Sequence, residues 1–100
     1  VAISGEGRQV VTTAGTRVQV VPVPGVVHVR VDVSALKRNT DDIYIGMNRV
    51  SAVAGRETGH VLEPGDTLTL NSQDLSNVWI DANLSGEGVM WMAYDNDGDG

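Results

Sequence analysis

Val27-His28-Val29-Arg30-Val31-Asp32-Val33-Ser34 alternates without a break between an apolar and a polar side chain. A period of two puts the four valines on one face of an extended segment and the polar residues on the other, which is the pattern of a half-buried β-strand. The composition agrees. The 100 residues are 41% apolar, with 17 valines against six leucines and four isoleucines, and no phenylalanine. Valine is stiff at χ1 and suits a pleated surface better than a helix.

Working outward from this strand, Pro22 and Pro24 stop the one before it, because proline cannot donate to a ladder. Val23-Pro24-Gly25-Val26 and Glu63-Pro64-Gly65-Asp66 both carry proline and glycine in the order of a type II turn. Further strands are expected at residues 9–13, 16–21, 43–45, 61–62, 67–70, 78–82 and 89–94, with weak pairing at 50–54. Residues 35–42 read as a polar connection, and 71–77 as a loop or a single helical turn capped by Ser72. Short strands punctuated by turns describe an all-β chain: a single antiparallel β-sandwich or barrel, jelly-roll-like, of about eight strands. Residues 1–8 (VAISGEGR) form an extended N-terminal arm in this reading. Residues 9–94 are the sandwich and 95–100 an acidic C-terminal tail. No segment has a helical period over a helical length, and none is apolar enough for a membrane span. These features exclude a membrane protein, a coiled coil and a disordered chain. Val1 fits removal of an initiator methionine.

The chain contains no cysteine, so no disulfide framework or thiolate metal site is available. Its net charge of −6 is unevenly spread. All seven basic residues lie within positions 1–56 beside four acids, whereas residues 57–100 hold nine acids and no lysine or arginine. Without a concentrated basic stripe, the chain is not expected to bind nucleic acid. Three of the nine acids lie in the last six residues, so chance and a solubilising tail account for the asymmetry; the sharper alternative is complementary faces that meet on neighbouring subunits.

Residues 89–94 break the alternation rule. Val89, Trp91 and Ala93 face one side while Met90, Met92 and Tyr94 face the other, so both sides of this strand need covering. One side, joined by an exposed Trp79 from the neighbouring strand, is expected to dock on another subunit, since aromatic residues and methionine favour interface cores. Chemistry is sparse by comparison. His28 and His60 are the candidates for a near-neutral base, and neither has an orienting acid nearby in sequence. No serine sits in a nucleophile elbow. Gly5-Glu6-Gly7 and Gly86-Glu87-Gly88 read as turns whose acid would repel phosphate. Catalysis and a catalytic cofactor are not expected. The tail Asp95-Asn96-Asp97-Gly98-Asp99-Gly100 reproduces the opening of a calcium loop but lacks its twelfth-position acid. It reads as a solvated acidic tail, with Asp95, Asp97 and Asp99 as calcium candidates should a neighbouring subunit complete the site.

The stretch from Val29 to Tyr94 resembles a family of small tailed-bacteriophage virion proteins. The likeness runs through the alternating strand 29–33, Asn39-Thr40, Ile43-Tyr44-Ile45-Gly46, Val50-Ser51-Ala52, the 62–70 Pro-Gly turn and Asp74-Leu75-Ser76-Asn77-Val78-Trp79-Ile80-Asp81-Ala82. The resemblance implies a capsid decoration (cement) protein, made in the host cytoplasm and bound to the capsid exterior. Its implied partners are the major capsid protein and copies of itself, as a homo-oligomer expected to be a trimer. On that reading Trp79, Met90, Met92 and Tyr94 are intersubunit contacts, and Arg8, Arg17, Arg30 and Arg38 face the capsid. Two alternatives stand beside it. One is a neck, tail or fibre-base component; the other is a carbohydrate-binding module stacking sugars on Trp79, Trp91 and Tyr94, with the acidic tail holding calcium.

Overall fold

The computed structural model describes residues 2–21 and 27–95. Among them, eight strands follow in chain order: β1 (Ala2–Val10), β2 (Val18–Gln19), β3 (Val27–Ala35), β4 (Ile43–Gly46), β5 (His60–Leu62), β6 (Thr67–Asp74), β7 (Trp79–Ala82) and β8 (Gly88–Asp95). They form two antiparallel sheets, β1-β8-β3-β6 and β2-β7-β4-β5. The pairing is nested, with β1 beside β8, β2 beside β7, β3 beside β6 and β4 beside β5. Doubling the chain between β4 and β5 and wrapping the long hairpin around a core produces that nesting, the arrangement of a jelly roll. The expected all-β sandwich is the fold observed.

Its core is what the alternation dictates. Val31 and Val33 of β3, with Val89 and Ala93 of β8, are buried against Ile43 and Ile45 of β4, Leu62 of β5 and Ile80 of β7. Val27 and Val29 keep the same period yet stay 62% and 40% exposed. The first sheet has strands of eight or nine residues and the second of two to four, so the start of β3 runs beyond its cover. The 63–66 turn forms as its residues demand: Gly65 takes φ +88° and the Asp66 N–H donates to the Glu63 carbonyl at 2.9 Å. The other Pro-Gly turn lies outside the described residues.

Three local expectations change. Of the expected 1–8 arm, residues 2–8 are extended but do not stand off the domain, because β1 pairs with β8 along its length, with a bulge between Ile3 and Gly5. Gly5 and Gly7 permit this. The Trp91 indole lies over them, 2.8 Å from where a Gly7 Cβ would project. Second, the 3-10 turn at Leu75–Asn77 is capped by Asp74, whose carboxylate accepts from the Ser76 N–H at 2.9 Å and hydroxyl at 2.8 Å. Ser72 cannot cap it, since pairing with β3 carries β6 on to Asp74. Third, Glu87 is a buried clamp as well as a turn residue. Its carboxylate accepts from Thr40 N–H (2.6 Å), Thr40 hydroxyl (3.0 Å) and Asp41 N–H (3.1 Å).

The outer face of the second sheet is roofed by residues 47–59, where Val50 and Ala52 are buried. Asp81 holds this roof down, its carboxylate accepting from the N–H groups of Ala52 (2.9 Å) and Ala82 (2.8 Å). The weak pairing expected at 50–54 amounts to one bridge, Ser51 with Thr58.

The Trp91 seat yields a stability contrast. Gly7→Ala forces a methyl group into the indole and is expected to cost about 1–3 kcal/mol, or roughly 4–8 °C in Tm per kcal/mol for a domain of this size. Gly5→Ala, with 3.4 Å available, is expected to change little. Thermal denaturation of the two variants checks this; equal melting temperatures would contradict the seat.

Candidate interaction face

The register of β8 assembles the face. Glu6 of β1, Met92 of β8 and Asp32 of β3 are cross-strand partners, and so are Arg8, Met90 and Ser34. Directly opposed residues point to the same side of a sheet, so these rows lie together on the outer side of β1-β8-β3-β6. Tyr94 and Arg30 make the next row. Met90 is 49% exposed, and Met92 and Tyr94 are half-buried. Together with Glu6, Arg8 and Thr67 they line a shallow groove of about 480 Å³. No segment among the described residues covers it.

The polar residues here are partly wired. Arg30 donates to Asp32 at 2.9 Å and lies over the Tyr94 ring, 4.6 Å from its centroid. The Thr69 hydroxyl donates to Asp32 at 2.8 Å. The Arg30 guanidinium, then the Thr69 hydroxyl, hold the Asp32 carboxyl below its usual range. The Tyr94 hydroxyl meets the Met92 sulfur at 3.1 Å. Arg30 is therefore fastened across the face by a charge pair and a ring.

The residues expected to act together occupy different places. Met90, Met92 and Tyr94 share one face, as do Arg8 and Arg30. Trp79 does not join them. It belongs to β7 in the other sheet, opposite Gln19 and Gly46, so it is no neighbour of β8. There it lines a shallow depression with Gly15, Thr16, Arg17 and Asn48. Arg38 lies in the loop after β3, donating to the Gly86 carbonyl at 3.3 Å. The three-aromatic platform is likewise divided: Trp91 turns inward over the β1 glycines, Tyr94 sits under Arg30, and Trp79 faces out from the opposite sheet.

His28 does have an acid, supplied from the far end of the chain. Its Nδ1 lies 2.9 Å from Asp95 Oδ2, and the Val29 N–H donates to Oδ1 at 3.0 Å. Ser4 Oγ, at the β1 bulge, is 3.4 Å from the same Nδ1. A serine–histidine–carboxylate relay needs serine and acid on opposite ring nitrogens. Here both meet Nδ1, so the trio clasps the ends of β1, β3 and β8 and does not prime a nucleophile. Asp95, a calcium candidate in the sequence, uses its oxygens in this clasp; Asp97 and Asp99 lie outside the described residues. Among the described residues no cluster of three His, Cys, Asp or Glu side chains is arranged for a metal. His60 opens the edge strand β5 and is exposed.

Several of these partnerships had no local signal. Ser4, His28 and Asp95 are separated by 24 and 67 positions, and Glu87 finds its partners 46 and 47 residues away. The Arg30–Asp32 pair was readable, since opposite charges two apart on a strand share a face. Comparison with protein-family models, curated proteins and solved structures returns no match for this chain, so no relative bears on the phage resemblance.

The clasp gives a pH signature. Hydrogen bonds from Ser4, then His28, then the Val29 N–H lower the Asp95 pKa from 3.8 to about 2. A depressed carboxylate contributes stability that is present above its unfolded pKa and lost as pH falls through the folded one. Asp95→Asn is therefore expected to melt below wild type near neutral pH, with the gap closing between about pH 4 and pH 2. Melting curves across that range check it; a gap that stays constant to pH 2 would contradict it.

Proposed function

We propose that this chain is a non-enzymatic structural protein of a tailed-phage virion, bound as an oligomer to the outer capsid surface and stabilising the head. The observation that carries this reading is the uncovered Met90–Met92–Tyr94 row in the centre of a sheet face. A central strand apolar on both sides favours a partner on its outer side, and none of the described segments covers it. The fold is compatible, because jelly rolls recur in viral capsid proteins, although lectins share them and fold alone does not assign function. The sequence resemblance over residues 29–94 supplies the phage context.

A cementing module needs two surfaces, one for its copies and one for the shell. In this reading the outer face of β1-β8-β3-β6 takes the copies, with Arg8 and Arg30 part of that contact. The depression around Trp79 and Arg17, on the opposite sheet, takes the major capsid protein. The same surfaces suit a neck, tail or fibre-base position. One observation favours a second reading: Trp79 beside Arg17 and Asn48 is a stacking surface with polar neighbours, as a sugar site requires.

Cryo-electron microscopy of the virion is expected to find the chain at repeated symmetry-related sites over the head exterior. A few copies at one vertex would move it to the neck or tail, and absence from the particle combined with Trp79-dependent glycan binding would favour the sugar reading. Met90→Ala/Met92→Ala is expected to fold as wild type, since both side chains face outward, yet to occupy heads with about tenfold lower affinity, roughly 1.4 kcal/mol. Unchanged occupancy would remove these methionines from the contact.

A further inference from the structure

The outer face of β1-β8-β3-β6 carries two charges that no described residue answers. Asp32 is neutralised internally by Arg30 and accepts a hydrogen bond from the Thr69 hydroxyl. Glu6 and Arg8, both exposed on the edge strand β1, have no ion pair or side-chain hydrogen bond among the described residues. They stand in adjacent rows: Glu6 level with Met92, and Arg8 level with Met90.

We infer that this face pairs with the same face of a second copy about a two-fold axis, which lies in the contact plane, crosses the strands, and passes between the Met90 and Met92 rows. It rests on the reading of this face as the contact between copies, and adds the symmetry. Rotation about that axis lays β8 antiparallel over β8 of the second copy and exchanges the two rows. Glu6 then faces the partner's Arg8, Arg8 faces the partner's Glu6, and Met90 packs on the partner's Met92. Two ion pairs and two methionine contacts form from one patch, the self-complementarity an isologous contact requires. The other in-plane axis, parallel to the strands through β8, sets Glu6 against the partner's Asp32, two like charges. The charge pattern selects the first.

The dimensions agree. Four strands about 4.8 Å apart and eight residues long present about 500 Å² per copy, so a pair buries about 1,000 Å², the lower end of specific interfaces. Stacked sheets lie about 10 Å apart, a gap that methionine side chains fill from both sides and Glu6 and Arg8 can span. The pair is the primary unit of assembly here, in place of the trimer implied by the resemblance.

Sedimentation equilibrium of the purified chain tests it without any capsid, so failure here is separate from failure to bind heads. The wild type is expected to form dimers with a Kd in about the micromolar range. Glu6→Arg sets an arginine against each facing Arg8, and Arg8→Glu sets an acid against each facing Glu6. Each variant alone is expected to weaken dimerisation at least about tenfold. Mixed in equal amounts, the two regain both ion pairs and are expected to form a heterodimer. The double variant Glu6→Arg/Arg8→Glu is expected to dimerise as wild type does. Circular dichroism confirms that each variant is folded. A wild type monomeric at every concentration, single variants that dimerise undiminished, or a mixture that stays monomeric would each overturn the proposal.

Discussion

The approach of β1 to β8 is the contact on which the architecture turns. In a doubled chain wrapped around a core, the first and last strands are the outermost pair, and the roll closes only when they meet. Trp91 is the largest inward side chain on β8, and its indole needs a flat seat. Gly5 and Gly7 provide one by having no side chain at two successive inward positions. With β1 seated, β8 has neighbours on both sides and becomes a central strand. Its outward row of Met90, Met92 and Tyr94 then lies in the middle of the sheet face, away from the edges.

Most polar side chains that are buried or fastened serve the connections between strands. Glu87 gathers the 39–41 backbone, and the Asn39 amide donates to the Gly88 carbonyl at 2.9 Å. Asp81 pins the roof over the second sheet. Asp95 draws together the ends of three strands. The carboxylates accept from backbone N–H groups or neighbouring side chains, and the Asn39 amide both donates to the Gly88 carbonyl and accepts from the Gly88 N–H, which is how buried polar atoms avoid the cost of lost solvation. Glu87, Asp81 and Asp95 thus fix connections and strand ends in place.

Strand pairing makes the surface pattern legible. On a fixed sheet, side chains stand in rows set by cross-strand register, so charges and methionines on β1 and β8 have defined spacings. Glu6 and Arg8 differ from Arg30 and Asp32 in this respect. The latter pair satisfies itself and adds little net charge, whereas the former leaves two opposite charges on an edge strand beside an uncovered apolar row.

The alternation of 27–34, the valine content and the Pro-Gly turn at 63–66 were sufficient for an all-β sandwich, because strand period and turn chemistry are local properties carried by neighbouring residues. The two-sided apolar character of 89–94 was readable for the same reason. Local pattern could not reveal that residues 2–10 form a strand in place of an arm, since its partner is more than 75 positions away and the reason for its glycines is a tryptophan on that partner. Nor could it separate Trp79 from Met90, as the two strands are consecutive in sequence yet belong to different sheets. Which residues share a face, and which acids answer which donors, depends on how the chain doubles back, and that is settled by packing between distant segments.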